Sequence, residues 1–139
     1  MRVVAEGVKA AGGRLVGITI EHYRADSYDR ADEVILTRDL FDRKRELIER
    51  SDAIAILVGG IGTLDEATDI MELKREGAHN VPVVFLNTDG FYEPLREQLR
   101  AMEQAGMLDR KADALATFVD SSHDALDVLI AKATEAGTL

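Results

Sequence analysis

The chain has 139 residues, no cysteine and a formal net charge of −9, with 31% of its residues charged. That length suits a single domain over residues 1–139 burying roughly two-thirds of its unfolded surface, and no apolar run approaches the ~20 residues of a membrane-spanning helix. The lack of thiols excludes disulfides and thiolate metal sites and accords with a reducing cytoplasm; the negative charge argues against non-specific nucleic-acid binding, and Met1 to Glu6 does not read as a signal peptide.

Helix and strand signals then alternate. Val3 to Ala11 reads as a short amphipathic helix stopped by Gly12-Gly13, and Arg14 to Ile20 as a buried strand. Residues 21–32 are polar and read as a loop, followed by a short strand at Glu33 to Leu36. Leu40 to about Arg50 is predicted helical with Leu40, Leu47 and Ile48 facing inward. A strand at 53–58 leads into the turn Val58-Gly59-Gly60-Ile61-Gly62, and a helix is predicted from about Thr63 to Glu76, its Leu64, Ala67, Ile70 and Met71 forming one apolar stripe. Pro82 to Asn87 reads as a strand, Asp89-Gly90 as a turn, and Pro94 as the first turn of a helix that Gly106 ends. A weak strand at Phe118-Val119 and a helix from about Ser122 to Glu135, capped by Ser121 or Ser122, close the chain. The alternation implies an α/β fold with a parallel sheet covered by helices on both faces.

The glycine turn is the most informative feature. Strand, glycine loop and helix N-terminus together present backbone N–H groups and a positive dipole end to an anion, so the turn is a candidate phosphate cradle. Ligands of open parallel sheets bind at the carboxyl ends of the strands. Arg43, in the first turn of the helix before strand 53–58, and Glu66, in the first turn of the helix after it, are both expected at that edge. Alternatives stand beside each reading. Thr63-x-x-Glu66 also spells a capping box, Arg43 belongs to a charged stretch that suits a solvated helix face, and glycine turns after strands are common. His22, His79 and His123 lack metal-ligand spacing; His79 and His123 read as a surface loop and a helix end.

Val58-Gly59-Gly60-Ile61-Gly62-Thr63-Leu64-Asp65-Glu66 fits Pro-Gly-Gly-x-Gly-Thr-x-x-Glu except at its first position. With Arg43-Lys44 upstream and Asn87-Thr88-Asp89-Gly90-Phe91-Tyr92 downstream, the chain resembles the LOG (LONELY GUY) family, long labelled lysine decarboxylases and known as cytokinin riboside 5′-monophosphate phosphoribohydrolases. The resemblance implies a Rossmann-like fold, N-terminally truncated relative to the family. It further implies hydrolysis of the N-glycosidic bond of a cytokinin-type or adenosine nucleoside 5′-monophosphate to free base and ribose 5-phosphate. Arg43 and Glu66 would be the catalytic pair, and Lys44, Gly59, Gly60, Gly62 and Thr63 would bind substrate. No metal or other cofactor is called for. A homodimer is expected by the same resemblance, with the apolar stripe of helix 63–76 as its support. The alternative is a non-catalytic nucleotide-binding or carrier protein on the same scaffold.

The chain departs from the family pattern at Val58, which replaces proline, and at Phe41-Asp42, which replace His-Glu. Leu73 and Arg75 replace the family's tryptophan and glutamine, and Met1 falls where the family's glycine-rich loop ends, after a first strand, a helix and a second strand. Three expectations follow from that offset: a start further upstream, strands supplied by another chain, or direct pairing of strand 14–20 with strand 53–58.

Overall fold

A computed structural model describes residues 2–135; Met1 and its place in the family comparison lie outside the described residues. The fold is α/β, with parallel ladders flanked by helices in a Rossmann-like arrangement. The chain divides into two compact units between Arg50 and Ser51.

Unit 1 contains α1 (Arg2–Ala10), β1 (Val16–Ile20), β2 (Glu33–Thr37) and α2 (Leu40–Glu49). β1 and β2 pair in parallel with Val16 opposite Glu33 and Ile20 opposite Thr37, and α2 packs on both strands. The segment expected as a plain loop contains a 3₁₀ turn, Glu21–Asp26. Asp32 ties the unit together, accepting the Leu15 N–H at 2.7 Å and the Lys9 ammonium at 2.6 Å. Those contacts, the Leu15 N–H first, hold its carboxyl below the usual carboxylate range. Of the three residues expected to face inward on α2, Ile48 is buried and Leu47 half-buried, but Leu40 is 45% exposed. Leu40 is the first helical residue, before the chain has turned onto β1 and β2.

Unit 2 contains β3 (Ile54–Ile56), α3 (Ile61–Arg75), β4 (Val83–Leu86), α4 (Glu93–Gln104), α5 (Ala112–Leu115), β5 (Thr117–Val119) and α6 (Ser122–Glu135). Its parallel sheet runs β3-β4-β5, with Ile54 opposite Val83 and Phe85 opposite Phe118. Central β4 is covered on both faces: Val83, Val84 and Phe85 are fully buried, as an uninterrupted apolar run in a parallel sheet requires. Phe85 stacks on Phe118 at 4.7 Å and meets Tyr92 edge-on at 5.0 Å, and α6 packs on all three strands.

Of the α3 stripe, Ala67, Ile70 and Met71 are buried and Leu64 is half-buried. Lys74 extends the same face, its stem buried and its ammonium donating to the Val81 carbonyl at 3.0 Å; burial pushes its pKa down. His79 is likewise integrated rather than a free surface residue. Its Nε2 lies 2.9 Å from the Ile70 carbonyl and its Nδ1 accepts the Val81 N–H. Among the described residues no helix is long and apolar enough to cross a membrane.

Candidate active site

In unit 2, β3 leaves its ladder at Ile56, two residues earlier than the apolar run predicts. Leu57 and Val58 begin the turn instead of continuing the strand. The Leu57 carbonyl is satisfied by the hydroxyl of Tyr92, which donates to it at 2.7 Å. α3 starts at Ile61, two residues before the predicted start, with Gly60 as its N-cap in an extended conformation (φ −92, ψ −159). The first bond of the helix runs from the Leu64 N–H to the Gly60 carbonyl at 3.1 Å. The N–H groups of Ile61, Gly62 and Thr63 precede it and have no acceptor in the preceding helical turn.

This frame revises two expectations. Thr63 is the third helical residue, not the cap, so Thr63-x-x-Glu66 does not form a capping box. Glu66 is the sixth helical residue and stands in the second turn, beyond the turn in which the helix dipole acts most strongly. The glycines are not equivalent. A β-carbon on Gly59 would lie 2.2 Å from Thr63 Oγ1 and 2.8 Å from Thr63 Cβ, so the turn closes only because Thr63 packs directly over that glycine. A β-carbon on Gly60 or Gly62 would meet nothing within 4 Å. Packing within the chain explains Gly59; at Gly60 and Gly62 the bare backbone faces open space.

The surroundings of the turn are apolar below and polar beyond. Leu57, Val58, Leu86, Thr88, Asp89 and Phe91 line a hollow of about 520 Å³ at the carboxyl ends of β3 and β4. Asn87, 3% exposed, accepts the Tyr92 N–H on Oδ1 at 2.7 Å, and its amide nitrogen reaches Asp120 at 3.3 Å and Glu93 at 3.4 Å. Burial pushes the Tyr92 phenol up, and the Gly59 N–H on its oxygen opposes that. Tyr92 and Asn87 belong to the Asn87-to-Tyr92 turn quoted for the family resemblance. Their part in holding the glycine turn has no signature in periodicity or spacing.

In unit 1, Arg43 and Lys44 are the fourth and fifth residues of α2. Asp39 caps this helix, its carboxylate accepting the Asp42 N–H at 2.8 Å. Asp42, which stands where the family has glutamate, is buried and grips Arg38 and Arg45. The Arg38 guanidinium holds the Asp42 carboxyl below its usual range. Arg43 is half-buried rather than on a fully solvated face: its Nε donates to the Ile18 carbonyl at 3.0 Å. It lines a hollow of about 610 Å³ together with Leu15, Ile18, Tyr23, Tyr28 and Leu47. The residues predicted for the site thus form two groups, Gly59, Gly60, Gly62, Thr63 and Glu66 on one turn and helix, and Arg43 with Lys44 on the other unit's helix.

Parallel strands that run through a glycine turn into a helix N-terminus define a Rossmann-like α/β protein. Residues 1–129 match the family described as "Possible lysine decarboxylase". The chain is 35% identical over 128 residues to the cytokinin riboside 5′-monophosphate phosphoribohydrolase of Mycobacterium tuberculosis, covering 91% of this chain and 68% of that protein. It is 33% identical to the protein of the same name from Mycobacterium marinum, with the same coverage. An Arabidopsis thaliana protein of that name is 36% identical over 100 residues, covering 68% of this chain and 42% of its own length. The chain belongs to this family, called lysine decarboxylase in its older description.

Proposed function

We propose that this protein hydrolyses the N-glycosidic bond of a nucleoside 5′-monophosphate of the adenosine or cytokinin type. Water adds to C1′ of the ribose, the C1′–N bond breaks, and the proton from water ends on the base nitrogen, giving free base and ribose 5-phosphate. The observation that carries the reading is the glycine turn, whose open positions at Gly60 and Gly62 leave the first N–H groups of α3 accessible to a phosphate. Similarity to proteins named phosphoribohydrolases supports the choice of reaction.

In this reading the 5′-phosphate rests on Gly59, Gly60, Gly62 and Thr63, with Lys44 as a further cation. Bond breaking builds positive charge on the ribose, and a carboxylate near the ring stabilises it. Glu66 has that role, together with orienting water or gripping the ribose hydroxyls. Arg43 orients the substrate and stabilises charge, since a guanidinium is a poor proton donor. The site is assigned to a cytoplasmic homodimer on the family resemblance; light scattering tests the dimer, and a monomer removes it.

The deciding experiment incubates the protein with AMP and with N6-isopentenyl-AMP and measures free base by chromatography. Wild type is expected to release base, and Glu66→Gln to do so at least about a hundredfold more slowly. Equal rates for the two would end the hydrolase reading. Binding without base release would support the non-catalytic nucleotide binder instead.

A further inference from the structure

The stretch from Leu57 to Gly60 lies outside the β3–β4 ladder, and its backbone is held by one side chain from another element. The Tyr92 hydroxyl donates to the Leu57 carbonyl at 2.7 Å. A phenylalanine ring has no donor to offer that carbonyl. Tyr92 is 5% exposed, and its ring meets Phe85 and Phe91 edge-on, each at 5.0 Å. Its own backbone is fixed in turn. Asp89 (φ 53) and Gly90 (φ 73) reverse the chain after β4, and the Tyr92 N–H ends on the buried Asn87 side chain at 2.7 Å. Thr63 packs over the α-carbon of Gly59, two residues beyond Leu57.

We propose that Tyr92 is a positioning residue for the phosphate cradle: its hydroxyl, holding the Leu57 carbonyl, sets how the end of β3 meets the start of α3. It thereby aims the N–H groups of Ile61, Gly62 and Thr63. This rests on reading that turn as a phosphate cradle. Tyr92 touches no part of the substrate; it acts through Leu57. A cradle grips the 5′-phosphate alike before and during bond breaking, so loosening it weakens substrate and transition state together.

The test is steady-state kinetics of the full chain carrying Tyr92→Phe, with AMP as substrate, beside calorimetric titration with ribose 5-phosphate. KM and the Kd for ribose 5-phosphate are expected to rise together by about five- to tenfold, the effect of losing one hydrogen bond, with kcat within about twofold. A purely structural role would lower the melting temperature and the folded fraction, reducing kcat at constant KM. That pattern, or wild-type values for every constant, overturns the proposal. Where Tyr92→Phe does not fold, exchange of the Tyr92 hydroxyl proton in the wild type decides: a slowly exchanging proton supports the bond to Leu57, and exchange at the rate of free tyrosine removes it. The wild-type arm reports separately on the function proposed above, because wild type that neither releases base nor binds ribose 5-phosphate ends that reading whatever the variant does.

Discussion

Gly62→Ala separates folding from binding at the candidate cradle. Gly62 is the second residue of α3, and a β-carbon built on it meets nothing within 4 Å. Within the fold the methyl group relieves the entropic cost of glycine in a helix, worth about 0.5–1 kcal/mol, or a melting temperature higher by about 1–4 °C. For a bound phosphate the consequence is opposite. The methyl occupies the space above the first N–H groups of α3 and displaces at least one charge-assisted hydrogen bond, each worth about 1.5–3 kcal/mol. AMP or ribose 5-phosphate is therefore expected to bind roughly ten- to a hundredfold more weakly to a protein that is slightly more stable. Gly59→Ala is the internal control. Its methyl would lie 2.2 Å from Thr63 Oγ1 and 2.8 Å from Thr63 Cβ, and no rotation of Thr63 moves its β-carbon away. Overpacking of this kind costs about 1–3 kcal/mol, so that variant should lose stability as well as affinity. Calorimetric titration and thermal unfolding of both variants provide the measurements. Wild-type affinity in a folded Gly62→Ala protein would refute the placement of the phosphate on those N–H groups.

Arg43→Ala should abolish turnover while retaining the far-ultraviolet circular dichroism of the wild type. Losing the bond from Nε to the Ile18 carbonyl costs about 1–2 kcal/mol of stability, and global unfolding would instead assign Arg43 a structural role. Acid should destabilise the protein. The Asp32, Asp42 and Glu72 carboxyls all lie below their usual range, held there first by the Leu15 N–H, Arg38 and Arg75 respectively. Carboxylates depressed in the folded state contribute stability above the unfolded value of about 4, and that stability is lost as pH falls through the lowered folded values. Melting temperature should accordingly be level from neutral pH down to about 5 and fall below about 4, with a shallower fall in Asp32→Asn. A melting temperature that does not change on acidification would contradict the assignment.

The elements were legible wherever periodicity and punctuation agreed. Gly106 adopts φ 71 just after α4, Pro94 sits in that helix's first turn, and the Asp124 N–H bonds to Ser121 Oγ at the start of α6. What stayed hidden depends on contacts between segments distant in sequence. The apolar run 53–58 reads as six strand residues, but only Ile54–Ile56 pair with β4, because Tyr92, thirty-five residues after Leu57, supplies the Leu57 carbonyl with its partner. His79 reads as a surface-loop residue, yet its ring lies on a backbone carbonyl that only the folded chain brings near. Four-residue α5 is too short to leave a periodic signal. The stripe of α3 was legible as apolar, but periodicity alone does not distinguish a face that packs on its own unit from one that packs on another chain.

The start of α3 shows most clearly how a small shift of frame bears on chemistry. Read with Thr63 as the cap, Thr63 and Glu66 would serve the helix end by closing a reciprocal pair of hydrogen bonds. With Gly60 as the cap, the cap residue has no side chain to accept from the helix's first N–H groups. The same chain caps α2 with the Asp39 carboxylate and α6 with the Ser121 hydroxyl, so side-chain capping is available to it elsewhere. α4 also lacks a side-chain cap, but proline in its first turn removes one of the donors. α3 has glycines in the corresponding places, at Gly60 and Gly62, and keeps its donors. Thr63 and Glu66, three residues apart, then share one helix face above that end. A helix start without a side-chain cap, with a hydroxyl and a carboxylate on one adjoining face, is what a phosphorylated ribose would require: an anion to satisfy the N–H groups and a sugar within reach of the polar side chains.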